Sequence, residues 1–148
     1  VTVRKFRPEN RLAKTLEDPN GLLFGHAIGR AEANIERVRS TYMPALETKL
    51  DTLPIQAAAS REAGETAKLY TLVREIFSDA GVLRLADLSR AAHSLCELLA
   101  SGRSGEPLWA GVCVHVDALS ALRRLPPGAP GREALLTGLE KISRTPTR

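Results

Sequence analysis

Three histidines, two cysteines and interspersed carboxylates are the side chains with which this sequence could do chemistry. Their spacing limits what that chemistry is. In Ala92-His93-Ser94-Leu95-Cys96-Glu97, His93 flanks an apolar helical stripe, where an imidazole, the side chain whose charge changes near neutral pH, stands half exposed and available. The alternative is a boundary histidine satisfied by water or by a neighbouring helix. His26 falls at a helix start and reads as a capping or solvent-facing residue. His115 forms Cys113-x-His115, but residues two apart on a helix point about 200° from each other and cannot share a metal. Cys96 and Cys113 each sit in an apolar helical pattern, as small core residues in a reducing compartment and not as a disulfide. The sequence has no phosphate-cradling Gly loop with Lys and Ser/Thr, no HExxH, no nucleophile elbow and no paired CxxC. A generic enzyme is disfavoured, and neither metal nor cofactor is expected.

The elements that must position His93 are two apolar-faced helices within residues 69–99. Leu69, Leu72, Val73, Ile76 and Ala80 recur at three and four residues, as do Leu85, Leu88, Ala92, Leu95 and Leu99. Asp79-Ala80-Gly81 is the expected corner, since Gly leaves a helix cheaply through a left-handed conformation, and so short a link makes the pair an antiparallel hairpin. Before it, two helical turns are expected over 11–17, stopped by Asp18-Pro19-Asn20-Gly21. A long helix follows over 26–53, kinked or split by Pro44, with Thr52-Leu53-Pro54 as the boundary before a helix over 55–78. After the hairpin's second arm, 82–100, the Ser101-Gly102-Arg103-Ser104-Gly105 stretch is a loop. Helices over 108–124 and 132–143 flank the LPPGAPG break. The VCVHV alternation at 112–116 could mark a strand, but a lone strand has no partner here, so it reads as helix.

A chain of 148 residues is long enough for one domain with a real core. Aromatics make up only 4% against 43% hydrophobic residues, so Leu and Ala must fill that core, which favours close-packed helices. The expected class is all-α, an up-and-down four-helix bundle with short extra helices at both ends. As one domain, 1–148, it has an N-terminal extension (1–25), a bundle (26–124) and a C-terminal short helix and tail (125–148). The net charge of +4 spreads over 21 basic and 17 acidic residues, a solvated surface except at the basic ends Arg4-Lys5-Phe6-Arg7 and Arg144 to Arg148. With no aromatics among those charges, nucleic acid is not an expected partner. No signal-like segment and no run near the ~20 apolar residues of a membrane span occurs, so a cytoplasmic protein is expected.

The span from Tyr42 to Arg124 resembles histidine-containing phosphotransfer (Hpt) domains, the bundle proteins of bacterial phosphorelays. In that family a helix carries A-H-x-L-K-G, whose His accepts a phosphoryl group, followed by a Gly-containing corner and a helix patterned on Leu and Ala. Two registers align. In the first, Val73-Arg74-Glu75-Ile76-Phe77-Ser78 stands where the motif stands, and the corner and following helix continue without a gap. In the second, Ala92-His93-Ser94-Leu95 matches A-H-x-L, but Cys96 replaces Lys and Glu97 replaces Gly. The sequence is also similar to CheE-like proteins encoded with bacterial chemotaxis genes, through RPENRLAK, AEANIERVR, AGVLRLADLSRAAHSLCELL and HVDAL.

The resemblance implies a bundle of Hpt type in two-component signalling, with a response-regulator receiver domain as partner and a histidine kinase as a second. It places Arg74, Phe77 and Ser78 at the partner-binding position and His93 as the candidate phosphoacceptor. Arg74 is permanently protonated and is no nucleophile. Glu97, four residues from His93 on one face, adds bulk and negative charge where a receiver would approach. The expectation is a receiver-binding adaptor of chemotaxis or motility control with a degenerate transfer site. The alternatives are active phosphotransfer through His93, or a structural module that dimerises through an exposed apolar strip including Leu108 and Trp109.

Overall fold

A computed structural model describes residues 24–144, with side chains from residue 26 onward. The helix expected over 11–17 and most of both basic ends lie outside the described residues. Those residues form α1 (Phe24–Ala63), α2 (Ala67–Val82), α3 (Ala86–Ala100), α4 (Gly105–Arg124) and α5 (Arg132–Arg144), with no strand among them. The class is all-α, and the VCVHV segment is helical within α4.

The described residues fall into two units, divided between Arg37 and Val38. In the first, the described residues are helical and every side chain from 26 to 37 is exposed. Arg37 donates to the Asn34 side-chain oxygen one turn back, at 3.3 Å. In the second, α3 is the central helix: it buries Leu88, Ala91, Ala92, Ser94, Leu95, Leu98 and Leu99 and packs against α2, α4 and α5. Each fully buried Leu contributes about 1.5–3 kcal/mol, and the small Ala91 and Ala92 let neighbouring helices come close. From α1, Leu46, Leu50 and Leu53 enter the same core. Lys49 bridges to Asp79 of α2 at 2.8 Å, and Arg123 of α4 pairs with Glu47 and Asp51 of α1.

The expected boundary at Thr52-Leu53-Pro54 is not there, and Pro44 does not split the chain: α1 runs through both prolines to Ala63. Each proline removes one ladder hydrogen bond, a cost of about 3 kcal/mol or more in a helix interior. Burial of Leu50 and Leu53 before Pro54, and of Ser60 after it, keeps one face packed across that site. The real break is at Gly64, whose φ of +69° is the left-handed conformation that glycine adopts cheaply. Glu65 N–H donates to Ser60 O at 3.1 Å and Gly64 N–H to Arg61 O at 3.2 Å, the paired bonds of a Schellman stop.

The hairpin between α2 and α3 forms as expected from its apolar spacing, but its corner lies three residues later than Gly81. Leu85 N–H donates to Ala80 O at 2.8 Å and Arg84 N–H to Gly81 O at 3.1 Å, so the left-handed position falls on Arg84, φ +57°. A residue with a Cβ pays about 1 kcal/mol there. Arg84→Gly is therefore expected to stabilise the fold by about 0.5–1 kcal/mol, read as a higher urea midpoint at unchanged slope. An unchanged or lower midpoint would show that the Arg84 side chain offsets the strain.

Candidate functional site

Residues three and four apart share a helix face, and this rule assembles the site. On α2, Arg74, Phe77 and Ser78 stand at i, i+3 and i+4 beside the buried stripe of Val73, Ile76 and Ala80. On α3, His93, Cys96 and Glu97 stand in the same relation beside Ala92, Leu95 and Leu99. The antiparallel hairpin brings both trios to one side of its seam, where with Tyr70, Thr71, Glu75 and Ala100 they line an open groove of about 730 Å³. Arg74, Phe77, Ser78 and His93 are all exposed, so the residues of the two competing registers occupy one surface. The Phe77 and His93 rings lie 5.5 Å apart, tilted by 50°.

Charge is distributed unevenly round this groove. Glu75 is drawn toward α1 by Lys49 at 3.0 Å, and the Lys49 ammonium, bonded first to Asp79, is held above its ordinary pKa. Ser143 on α5 donates to a Glu97 carboxylate oxygen at 3.4 Å. Arg74 is the cation that the groove presents between these carboxylates. Burial pushes the Cys96 thiol up to about 11 against the opposing pull of Arg74, which leaves about one molecule in 10⁴ as thiolate at pH 7. Cys96 is thus a lining residue and no nucleophile. Cys113, expected in the core, is exposed on α4 because the α4 stripe of Val112, His115, Val116 and Leu119 passes beside it. Iodoacetamide at pH 7 is expected to alkylate Cys113 and leave Cys96 thiol intact until the fold opens; equal labelling in peptide mass spectra would contradict this placement.

His93 also borders a smaller groove toward α5, formed with Ser89, Arg90 and Glu140. There Arg90 grips Glu133 through two bonds of 2.9 and 3.1 Å and reaches Glu140 at 3.0 Å. Its pKa is raised, first by Glu133. The exposed apolar strip that the dimerising alternative placed at Leu108 and Trp109 is not there: both are buried, and Trp109 floors a groove of about 670 Å³ beside Pro54, Ala57 and Val112.

His115, set apart from metal chemistry by spacing, has a role that spacing does not reveal. It is fully buried. Its Nδ1 lies 2.7 Å from Gly111 O, which can only accept, so Nδ1 carries the proton and Nε2 accepts from the Ser94 hydroxyl at 2.9 Å. Burial holds the ring below its ordinary pKa, with the Gly111 carbonyl opposing. Among the described residues no group of His, Cys, Asp and Glu could hold a metal ion, and no helix is long and apolar enough to cross a membrane. The chain matches no protein-family model, no curated protein and no solved structure.

Proposed function

We propose that this protein is a receiver-docking adaptor of Hpt type, acting in two-component signalling of the chemotaxis or motility kind. The observation that carries the reading is the meeting of Arg74, Phe77 and Ser78 with His93 on one exposed groove. In this reading the bundle part of α1 together with α2, α3 and α4 are the four Hpt helices, and α5 is an addition laid on α3. Arg74 stands where the family keeps its reactive histidine, on a hairpin arm, with the small Ser78 one turn on. A receiver's phosphorylation pocket is rimmed by carboxylates. A guanidinium entering it makes charge-assisted, bidentate bonds and transfers nothing.

A second reading, phosphotransfer through His93, is favoured by the exposure of that ring on the same groove and opposed by Glu97 one turn on. One experiment separates them. Phosphorylated receiver domains and a histidine kinase, both from the same genome, are incubated with the intact protein, and binding and label transfer are read together. The adaptor reading expects a bound receiver and no acid-labile, base-stable label. A label lost in His93→Ala would replace it with the phosphotransfer reading. Absence of binding to every receiver would remove both.

A further inference from the structure

Ile28, Ala31, Ile35, Val38, Tyr42 and Ala45 alternate at three and four residues along α1, the a and d positions of two and a half heptads. All six are exposed, the four large ones by between 37% and 54%. From Leu46 onward α1 sends Leu46, Leu50 and Leu53 into the core; before it, this stripe has no cover among the described residues. A monomer rarely leaves so regular an apolar strip to water.

We infer that the strip is covered by a second copy of this chain, lying antiparallel as a two-helix coiled coil centred between Glu36 and Arg37. The inference does not depend on the receiver-docking reading. Antiparallel helices pair a positions with d positions, and this centre sets Ile28 against the partner's Ala45, Ala31 against the partner's Tyr42 and Ile35 against the partner's Val38. Each layer matches large with small or two middle-sized residues. A parallel pair would stack Ala31 on Ala31 and Tyr42 on Tyr42, leaving a void in one layer and crowding in another.

Charge selects the same register. Glu32 and Arg39 hold the e positions, which face each other across an antiparallel pair, so the proposed centre forms two symmetric Glu32–Arg39 pairs. Sliding by one heptad either way would place Glu32 against Glu32 or Arg39 against Arg39, and in a parallel pair neither meets the other. Six layers span about 27 Å, marginal for isolated peptides, but here the helix is already formed within a folded chain.

The test is sedimentation equilibrium of the full chain over a concentration series reaching a few hundred micromolar. The expected mass rises from 16.0 kDa to twice that value with concentration. Ile35→Asp is expected to hold the monomer mass at every concentration with an unchanged circular dichroism spectrum, since Ile35 is 54% exposed and outside the core. Glu32→Arg should weaken the dimer roughly tenfold by replacing two attractions with two repulsions, and adding Arg39→Glu should restore it. A monomer throughout, a dimer indifferent to Ile35→Asp, or a double charge swap that fails to restore association would each overturn the proposal.

Discussion

His115→Ala is expected to lower stability by about 3 kcal/mol, roughly 10 °C in melting temperature for a domain of this size. The imidazole is fully enclosed, so its removal leaves a cavity between α3 and α4 as well as a Ser94 hydroxyl whose partner is gone. The site cannot be rescued by bulk at the neighbouring turn. A Cβ on Gly111 would sit 2.8 Å from the buried Leu98 side chain and 3.4 Å from Ile142. The same ring fixes a pH dependence. Its folded pKa is depressed below the ordinary 6.5, so the unfolded chain binds the extra proton first. Its contribution is complete above about pH 6.5 and is lost as pH falls from there toward the folded pKa. His115→Leu, which fills most of the volume without a titrating group, should flatten the stability profile over that acid limb. Denaturant melts at pH 7.5 and pH 5.5 check both statements, and a parallel loss in wild type and His115→Leu would assign the acid limb to other groups.

Under the proposed docking role, Arg74→Glu is expected to reduce receiver affinity by at least tenfold while leaving stability within about 0.5 kcal/mol of wild type. The second half follows from exposure: Arg74 stands outside the core stripe, and surface changes of this kind move stability little. The first follows from charge. One or two hydrogen bonds to carboxylate contribute about 1.5–3 kcal/mol, and reversal adds repulsion from the acidic rim. Arg74→Lys keeps the charge and loses the planar fork, so it should fall between the two. Calorimetric titration measures these affinities. Equal binding by wild type and Arg74→Glu, at low and high salt, would remove Arg74 from the interface.

Much of the hairpin was legible because three-and-four spacing is a direct image of a buried helical face, and Leu69, Val73, Ile76, Ala80, Leu88, Ala92, Leu95 and Leu99 are all buried. The boundaries were less legible, for a physical reason at each place. Pro54 is a strong local breaker that continuous burial along α1 outweighs, whereas Gly64, in an unremarkable polar stretch, holds the left-handed stop. Arg84 takes a conformation that Gly81, three residues earlier, was better suited to take. The groove was half legible. Its residues come from two alignments that compete in sequence, and only the packing of α2 against α3 makes them neighbours. The Ser94–His115 bond could not be read at all, because it joins residues 21 apart in the chain across two helices. The α1 strip falls within the helix expected over 26–53, but a helix assignment does not say which part of its apolar face the chain itself covers.

The most direct test of the proposed docking surface is amide and side-chain NMR of the labelled protein titrated with receiver domains from the same genome. Shifts are expected to cluster on residues 70–78 of α2 and 93–100 of α3, with the Arg74 guanidinium and His93 ring among the largest, and little change on α4. A perturbed surface centred on α4 or α5, with Arg74 and Ser78 unmoved at saturation, would contradict the account.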